Sequence, residues 1–370
     1  MTATSSRSPG CPIRDVRVSV YRVPTDGPES DGTLEWTSTT MVFAEVDAGS
    51  RTGIGFTYAD RATAAVVWDV LRDVVVGHDA LETGALWTRM IASVRNLGRG
   101  GICAMAISAM DVALWDLRGK LLNAPVCDVL GAARRRVPIY GSGGFTSYSP
   151  DRLCEQLAGW VSAAIPRVKM KVGRAPEQDA DRVARVRKAV GPGAEIFVDA
   201  NGAYQPKQAV ALAHAFAASG VTWYEEPVDH QDFAGLAAVR WATPPGLEVT
   251  SGEYGYTLDH FRRMVEAGSV DVLQADATRC GGFTGLLAVD GLAQAWRLPL
   301  STHCAPYLHL HAAMACKQLR HSEYFYDHVR IARLFFDGVR EPCAGTLAVV
   351  DDLPGIGLVL KRADAERYAC

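Results

Sequence analysis

The chain is short of several things that would point to other kinds of protein. It has no surplus of one charge: 38 Lys and Arg stand against 41 Asp and Glu, for a formal net charge of −3. That leaves no positive field to hold nucleic acid or an anionic membrane surface. No apolar run reaches the length needed to span a bilayer. The opening stretch, Met1 to Asp15, lacks the apolar core of a secretion signal and is expected to be a frayed terminus. No low-complexity tract interrupts the chain. Cysteine occurs nine times, but the number is odd, the positions are scattered and no C-x-x-C pair exists. That pattern argues for reduced thiols in a cytoplasmic protein rather than a disulfide frame or a zinc site.

What is present is apolar bulk. Hydrophobic residues make up 48% of 370, enough for two domains or for one large barrel with an added layer. Val16 to Val23 alternates as a half-buried strand does, and Thr40 to Asp47 and Gly53 to Tyr58 read as two more. The stretch Thr25 to Thr39 is rich in Gly, Asp, Ser and Thr and reads as a long mobile loop. Helical patterns follow over Thr63 to Val75 and Thr83 to Ser93. Then Gly101 to Leu122 is apolar nearly all round, as a buried helix is. Asp111 and Asp116 lie within it, and a structural role is expected, satisfied by backbone or by Arg118. Strands followed by helices suggest a separate α+β layer.

After residue 133 the rhythm changes. Short β-prone runs recur roughly every 25 residues with helical patterns between them, as in a parallel sheet of βα units. Arg136 to Gly141 opens the series. The next runs end in Lys169 and Lys171, in Asp199 and Asn201, in Glu225 and Glu226, and in Glu253. Val272 to Asp276 and Leu298 to His303 follow, and Glu323 to Tyr326 reads as a degenerate eighth. Residues two apart on a strand share a face, roughly 7 Å apart along it. A (β/α) barrel keeps its active site where strands end like this. Three carboxylates delivered there form a hard, all-oxygen set that suits Mg²⁺. Only one of Glu225 and Glu226 can face the mouth fully, and spacing alone does not choose between them. Asn201 shares the face of Asp199 and could hydrogen-bond a substrate oxygen. Asp276 and His303 end consecutive strands, so the carboxylate can fix the imidazole tautomer and stabilise its protonated form. Cys304 is read as a small packing residue, His309 and His311 as local groups where a helix begins, and His214 as a helix-face residue.

Lys169-Met170-Lys171, Asp199-Ala200-Asn201, Glu225-Glu226-Pro227 and Ser251-Gly252-Glu253 resemble the enolase superfamily. Gln274-Ala275-Asp276 and Ser301-Thr302-His303 resemble its mandelate racemase subgroup. The likeness runs from about residue 15 onward. It implies a modified TIM barrel, (β/α)7β, over residues 133–328. Residues 1–132 would form an α+β capping domain, to which 329–370 return, with Pro354 to Leu358 matching the returning segment. Loops near Thr25 to Trp36 and Ser50 to Tyr58 would close over the mouth. The resemblance assigns Mg²⁺ to Asp199, Glu225 and Glu253, with Glu226 behind them. It gives Glu323 the task of hydrogen-bonding the substrate carboxylate.

The chemistry so implied is removal of a proton beside a carboxylate. Lys171 would be one base, kept neutral near pH 7 by repulsion from Lys169, which also adds positive charge to the site. His303, backed by Asp276, would stand across the substrate. Most members of the subgroup are acid-sugar dehydratases. Relatives that lactonise muconate or epimerise dipeptides carry a lysine on the sixth strand, where this chain has Gln274-Ala275-Asp276. Glucarate dehydratases have an Asn on the fifth strand, where this chain has Glu253. The expectation is a Mg²⁺-dependent dehydratase making a 2-keto-3-deoxy sugar acid. The alternatives are racemisation or epimerisation of a 2-hydroxy acid, cycloisomerisation of a sugar lactone, and a barrel that only binds a sugar acid. The implied partners are a small carboxylate and further copies of the chain. A diacid would need another cation, with Arg51, Arg279 and Arg330 as candidates.

Overall fold

The computed structural model describes residues 10–350 and 353–370. The expected frayed start falls mostly on residues 1–9, outside the described residues, and Ile13 is already in a strand. Three antiparallel strands, β1 (Ile13–Ser30), β2 (Glu35–Ala48) and β3 (Arg51–Tyr58), form the first sheet. The helix Ile102–Leu121 packs across it, with Val112, Leu114 and Leu117 fully buried. Burying each such side chain is worth roughly 1.5–3 kcal/mol. The contact is close because β3 carries glycines there. A Cβ on Gly53 would lie 2.1 Å from the Ala113 carbonyl oxygen, and one on Gly55 2.1 Å from that of Ala109.

The stretch read as a long loop is mostly strand. β1 continues through a register shift between Pro24 and Glu29, then pairs Glu29 with Trp36 and Ser30 with Glu35. The connection shrinks to the turn at Asp31–Leu34, where Asp31 Oδ1 accepts the Thr33 and Leu34 amides at 2.6 and 2.7 Å. The polar composition that mimics a loop supplies these turn bonds instead. The tip is pinned to the barrel: Thr146 N donates to the Ser30 oxygen at 2.8 Å and Thr146 Oγ1 to that of Asp31 at 2.7 Å.

Eight parallel strands then close a barrel. They are β4 (Val137–Gly143), β5 (Arg167–Lys171), β6 (Glu195–Asp199), β7 (Val221–Glu225), β8 (Glu248–Ser251), β9 (Val272–Ala275), β10 (Leu300–Thr302) and β11 (Leu319–Phe325). β11 pairs with β4 from Ser322↔Ile139 to Phe325↔Ser142. This eighth strand is full length rather than degenerate, and the helix Tyr326–Phe335 follows it. Its polar residues Arg320, His321 and Ser322 hid it from a hydrophobicity reading. The helix Pro150–Ser162 shows how the outer ring forms. Ser149 caps it by accepting the Arg152 amide, Pro150 opens it, and Leu153 and Leu157 face the barrel. Inside the barrel, Tyr140, Phe197 and Trp223 pack ring on ring beneath the mouth, with His321 against all three.

After the barrel the chain returns to the first layer. Ile356 N donates to Asp116 Oδ1 at 2.7 Å, and Gly355 exchanges backbone bonds with Ala124 and Val126. Asp116 also accepts the Ile54 amide at 2.7 Å and Lys120 Nζ at 2.6 Å, while Asp111 accepts Thr284 N and Oγ1. Both aspartates are therefore structural, through backbone and Thr284 or Lys120. Arg118 takes no part and donates to Thr83 Oγ1. Among the described residues no helix is long and apolar enough to cross a membrane. Replacing Asp116 by Ala strands two buried amides on separate parts of the chain. We expect a loss of about 2–5 kcal/mol of stability, read by urea denaturation; a change within error would show that Asp116 does not tie the layers together.

Candidate active site

The register of the sheet puts the first charged row together. Lys171 pairs with Asp199, and Asp199 with Glu225, so β5, β6 and β7 end level with one another. Lys171 Nζ bonds Asp199 directly. Lys169 lies one pleat lower and fully buried. Its ammonium meets Glu225 at 2.5 Å, Glu323 at 2.8 Å and Asp199 at 3.4 Å. The pKa consequence reverses the expectation for Lys171. Burial pulls its ammonium down, and Lys169 opposes it as foreseen. Asp199, Glu253 and Glu225 together outweigh both and hold it well above the usual lysine range. The repulsion argument counted the neighbouring lysine and not the acids around it. Asp199 is held below the usual carboxylate range: burial pushes it up, but Lys171 and Lys169 push it further down.

Asp199, Glu225 and Glu253 each offer an oxygen, all within 4.8 Å of one another. Burial, with Asp199 adding to it, pushes the Glu225 carboxyl up to about 8 despite Lys169. Glu253 Oε2 is buried and accepts no hydrogen bond. A crowd of acids short of positive charge, with an orphaned oxygen, fits a hard dication, and the all-oxygen set fits Mg²⁺. Trp223 Nε1 holds the far oxygen of Glu225 at 2.9 Å. Glu226 is not on the strand's other face: its φ of +39° takes it out of the ladder, and it accepts Ser251 Oγ at 3.1 Å. Asn201, at φ +46°, leaves its Oδ1 without a partner.

The other side of the mouth is built from β9 to β11. His303 Nδ1 donates to Asp276 Oδ2 at 2.8 Å, so Nε2 faces inward, 3.3 Å from Glu253 Oε2. Burial lowers the imidazolium, but Glu253 and Asp276 raise it more, leaving it above the ordinary histidine value. His309 reaches further than the helix end it was expected to serve. Its Nε2 accepts the Ala277 amide at 2.7 Å and Nδ1 donates to the Ala305 oxygen at 3.0 Å, which pins the loop beside Asp276. His311 joins the Cys127 amide to the Ile356 oxygen, far from the mouth. Glu323 Oε1 is held by Ser142 Oγ at 2.5 Å and Lys169 at 2.8 Å, and its Oε2 accepts the Cys304 amide at 2.7 Å. Burial raises its pKa, but Lys169 and His303 bring it down well below the usual range.

A cavity of about 640 Å³ opens above this floor. Lys171, Asn201, Glu253 and His303 line it, whereas Lys169, Asp199, Glu225, Asp276 and Glu323 lie beneath its surface. The cap lines it from two places: between Asp31 and Thr40, which covers the first lid expected, and at Tyr58, Ala59 and Asp60, which takes in only the end of the second. Residues 50–57 form a turn and strand instead. Of the three candidate arginines only Arg279 reaches the cavity, bonded to the Glu253 carbonyl oxygen at 3.1 Å. Arg330 is held by Asp327, and Arg51 pairs with Ala48 in the sheet. One lining residue, His328, carried no sequence signal. His328 accepts the Ala305 amide on Nδ1 and stacks on Tyr58 at 3.5 Å. Burial holds its pKa down at about 3, so it is neutral.

Two family models match the chain. Residues 24–131 match "Mandelate racemase / muconate lactonizing enzyme, N-terminal domain", and 152–365 match "Enolase C-terminal domain-like". A 3,6-anhydro-alpha-L-galactonate cycloisomerase of Streptomyces coelicolor is 32% identical, over 94% of this chain and 97% of the relative. An arabinonate dehydratase of Saccharolobus solfataricus is 29% identical over 84% of each. A mandelate racemase/muconate lactonizing enzyme-like structure from Rubrobacter xylanophilus superposes with a TM-score of 0.95 at 51% identity, covering 97% of this chain and 100% of that one. A Streptomyces coelicolor racemase solved with bound magnesium gives 0.91 at 30% identity, over 97% and 100%. The chain therefore belongs to the enolase superfamily, in its mandelate racemase subgroup.

Proposed function

We propose that this chain is a Mg²⁺-dependent hydro-lyase that dehydrates a sugar acid to a 2-keto-3-deoxy acid. The observation that carries the reading is the pairing across one polar cavity. Lys171 stands on one side and Asp276-backed His303 on the other, with the Asp199–Glu225–Glu253 oxygens beside them. Asp31, Ser38, Thr39, Thr40, Asp60 and Asn201 give that cavity a wall suited to a polyhydroxylated substrate.

The ion, when bound, neutralises charge on the substrate carboxylate as the α-proton leaves. The residues do the rest. Asp199, as a ligand of that ion, would no longer keep Lys171 protonated, so Lys171 would accept the α-proton as the free amine. Lys169 stays charged, clamped by Glu225 and Glu323. His303 holds its proton on Nε2 and delivers it to the β-hydroxyl, so the C–O bond breaks and water departs. The enol then takes up a proton to give the ketone. Asn201 Oδ1 and the neutral Nε2–H of His328 orient substrate hydroxyls. A second reading, cycloisomerisation of an anhydro sugar acid or lactone, is favoured by likeness to the Streptomyces cycloisomerase. It shares the first step and differs in the leaving group, a ring oxygen. Assembly as a homo-oligomer goes with the family likeness alone and a cytoplasmic location with the scattered cysteines; light scattering measures the assembly.

Chelation should abolish turnover and added Mg²⁺ restore it. Asp199→Asn should weaken Mg²⁺ binding, followed calorimetrically, while circular dichroism stays unchanged. Full turnover of metal-stripped protein would sink the metal assignment. Screening mono- and diacid sugars and their lactones identifies an active substrate. With it, Lys171→Ala should lose both α-proton exchange in D₂O and elimination. His303→Asn should keep exchange yet slow elimination by about 10²–10⁴-fold. For the opposite α-configuration the two phenotypes swap. Proton NMR of the α-position reads both; elimination at the native rate in both variants would show that neither side chain moves the proton.

A further inference from the structure

We propose that His303, Cys304 and Glu323 form a second metal site, selective for a thiophilic divalent ion such as Zn²⁺ and adjoining the magnesium carboxylates, since His303 Nε2 lies 3.3 Å from Glu253 Oε2. No C-x-x-C announces such a site. The fold makes it by bending the chain after β10: Cys304 has a φ of +50°, which turns its side chain back beside His303 instead of across the sheet. Cys304 Sγ then lies 3.2 Å from His303 Nε2, and Glu323 Oε2 lies 3.9 Å from the same nitrogen. One nitrogen, one sulfur and one carboxylate oxygen fall within 4.8 Å of one another. Tetrahedral zinc with ligand bonds of 2.0–2.3 Å needs edges of roughly 3.3–3.6 Å, so the nitrogen–sulfur edge is already close to length and the Glu323 carboxylate has to move toward it.

The supports around these ligands are those a zinc site requires. Asp276 holds His303 Nδ1–H at 2.8 Å, which orients Nε2 toward the ion in a carboxylate–histidine–metal chain. Glu323 is fixed by Ser142 and by the Cys304 amide. His303 and Cys304 both line the open cavity, which provides an entry path and a fourth position for water. The donors also separate the two sites by chemistry. Asp199, Glu225 and Glu253 offer oxygen alone, whereas this set offers sulfur and imidazole, which magnesium disfavours and zinc prefers. Binding sends the protons on Sγ and Nε2 to bulk water. It also takes Nε2 out of use, so zinc occupancy blocks whatever step His303 serves.

The test reads binding and needs no substrate, so it stands or falls apart from the dehydration reading. Protein saturated with Mg²⁺ is titrated with Co²⁺ as a spectroscopic stand-in. The intact chain should take up one Co²⁺ with a near-ultraviolet thiolate-to-cobalt band that Zn²⁺ bleaches. Cys304→Ser should lack the band. Asp276→Asn should keep it but bind about 10–100-fold more weakly. On the unaltered protein, which avoids any folding defect, Zn²⁺ should shield one thiol from alkylation, mapped by mass spectrometry to Cys304. A band that survives Cys304→Ser overturns the proposal. So does protection that maps to the exposed Cys343 or Cys370, or zinc uptake with no thiolate band, which would place the ion on the magnesium carboxylates.

Discussion

The site is built on an ammonium with no access to water. Lys169 Nζ is wholly buried between Glu225, Glu323 and Asp199. A lone charge there would cost several kcal/mol, and removing one partner of such a set typically costs 3–5 kcal/mol. The cluster draws its members from β5, β6, β7 and β11, which include both strands that flank β4 at the barrel seam. The Tyr140 ring lies 5.5 Å beneath it, at the top of the aromatic plug. Plug, ammonium and the Asp199, Glu225 and Glu253 carboxylates form a stack in which each layer sets the height of the next.

The layer above carries more negative charge than the protein alone neutralises. Asp199, Glu225, Glu226, Glu253, Asp276 and Glu323 are buried together, against Lys169, Lys171, Arg279 and a histidine. Burial pushes Glu225 up to about 8 and holds Glu226 well above its ordinary value, and the neighbouring carboxylates add to both. The cap adds hydroxyls and more carboxylate to the wall and no cation that could make up the difference. A dication is therefore part of the electrostatic design of the mouth as well as of the chemistry proposed for it.

How much of this could be read from residues alone depended on the range of the interaction. The charged row was legible because Lys-x-Lys and Asp-x-Asn obey the pleat, and a parallel ladder then fixes who stands level with whom. The Glu225 and Glu226 question was not, because the pleat rule lapses once Glu226 adopts a left-handed φ. The lid misled because Gly, Asp, Ser and Thr serve a turn inside a bulged hairpin as well as they serve a loop. His309 was placed on the right element, but its partner Ala277 is 32 residues away, and no local pattern reports that contact. The state of Lys171 depended on carboxylates from strands further along the chain, which pairwise reasoning with its nearest lysine could not weigh.

Asp116 links parts of the chain made at very different times. The backbone amide it shares with Ile356 belongs to a residue 240 positions later. At ribosomal speeds of about 5–20 residues per second, that gap is roughly ten to fifty seconds. Throughout it, the first sheet and its long helix exist with a carboxylate that lacks one of its designed partners. The layer that comes first in the order of translation is thus completed last. Until the returning segment emerges, the cap stays one buried hydrogen bond short of its finished state.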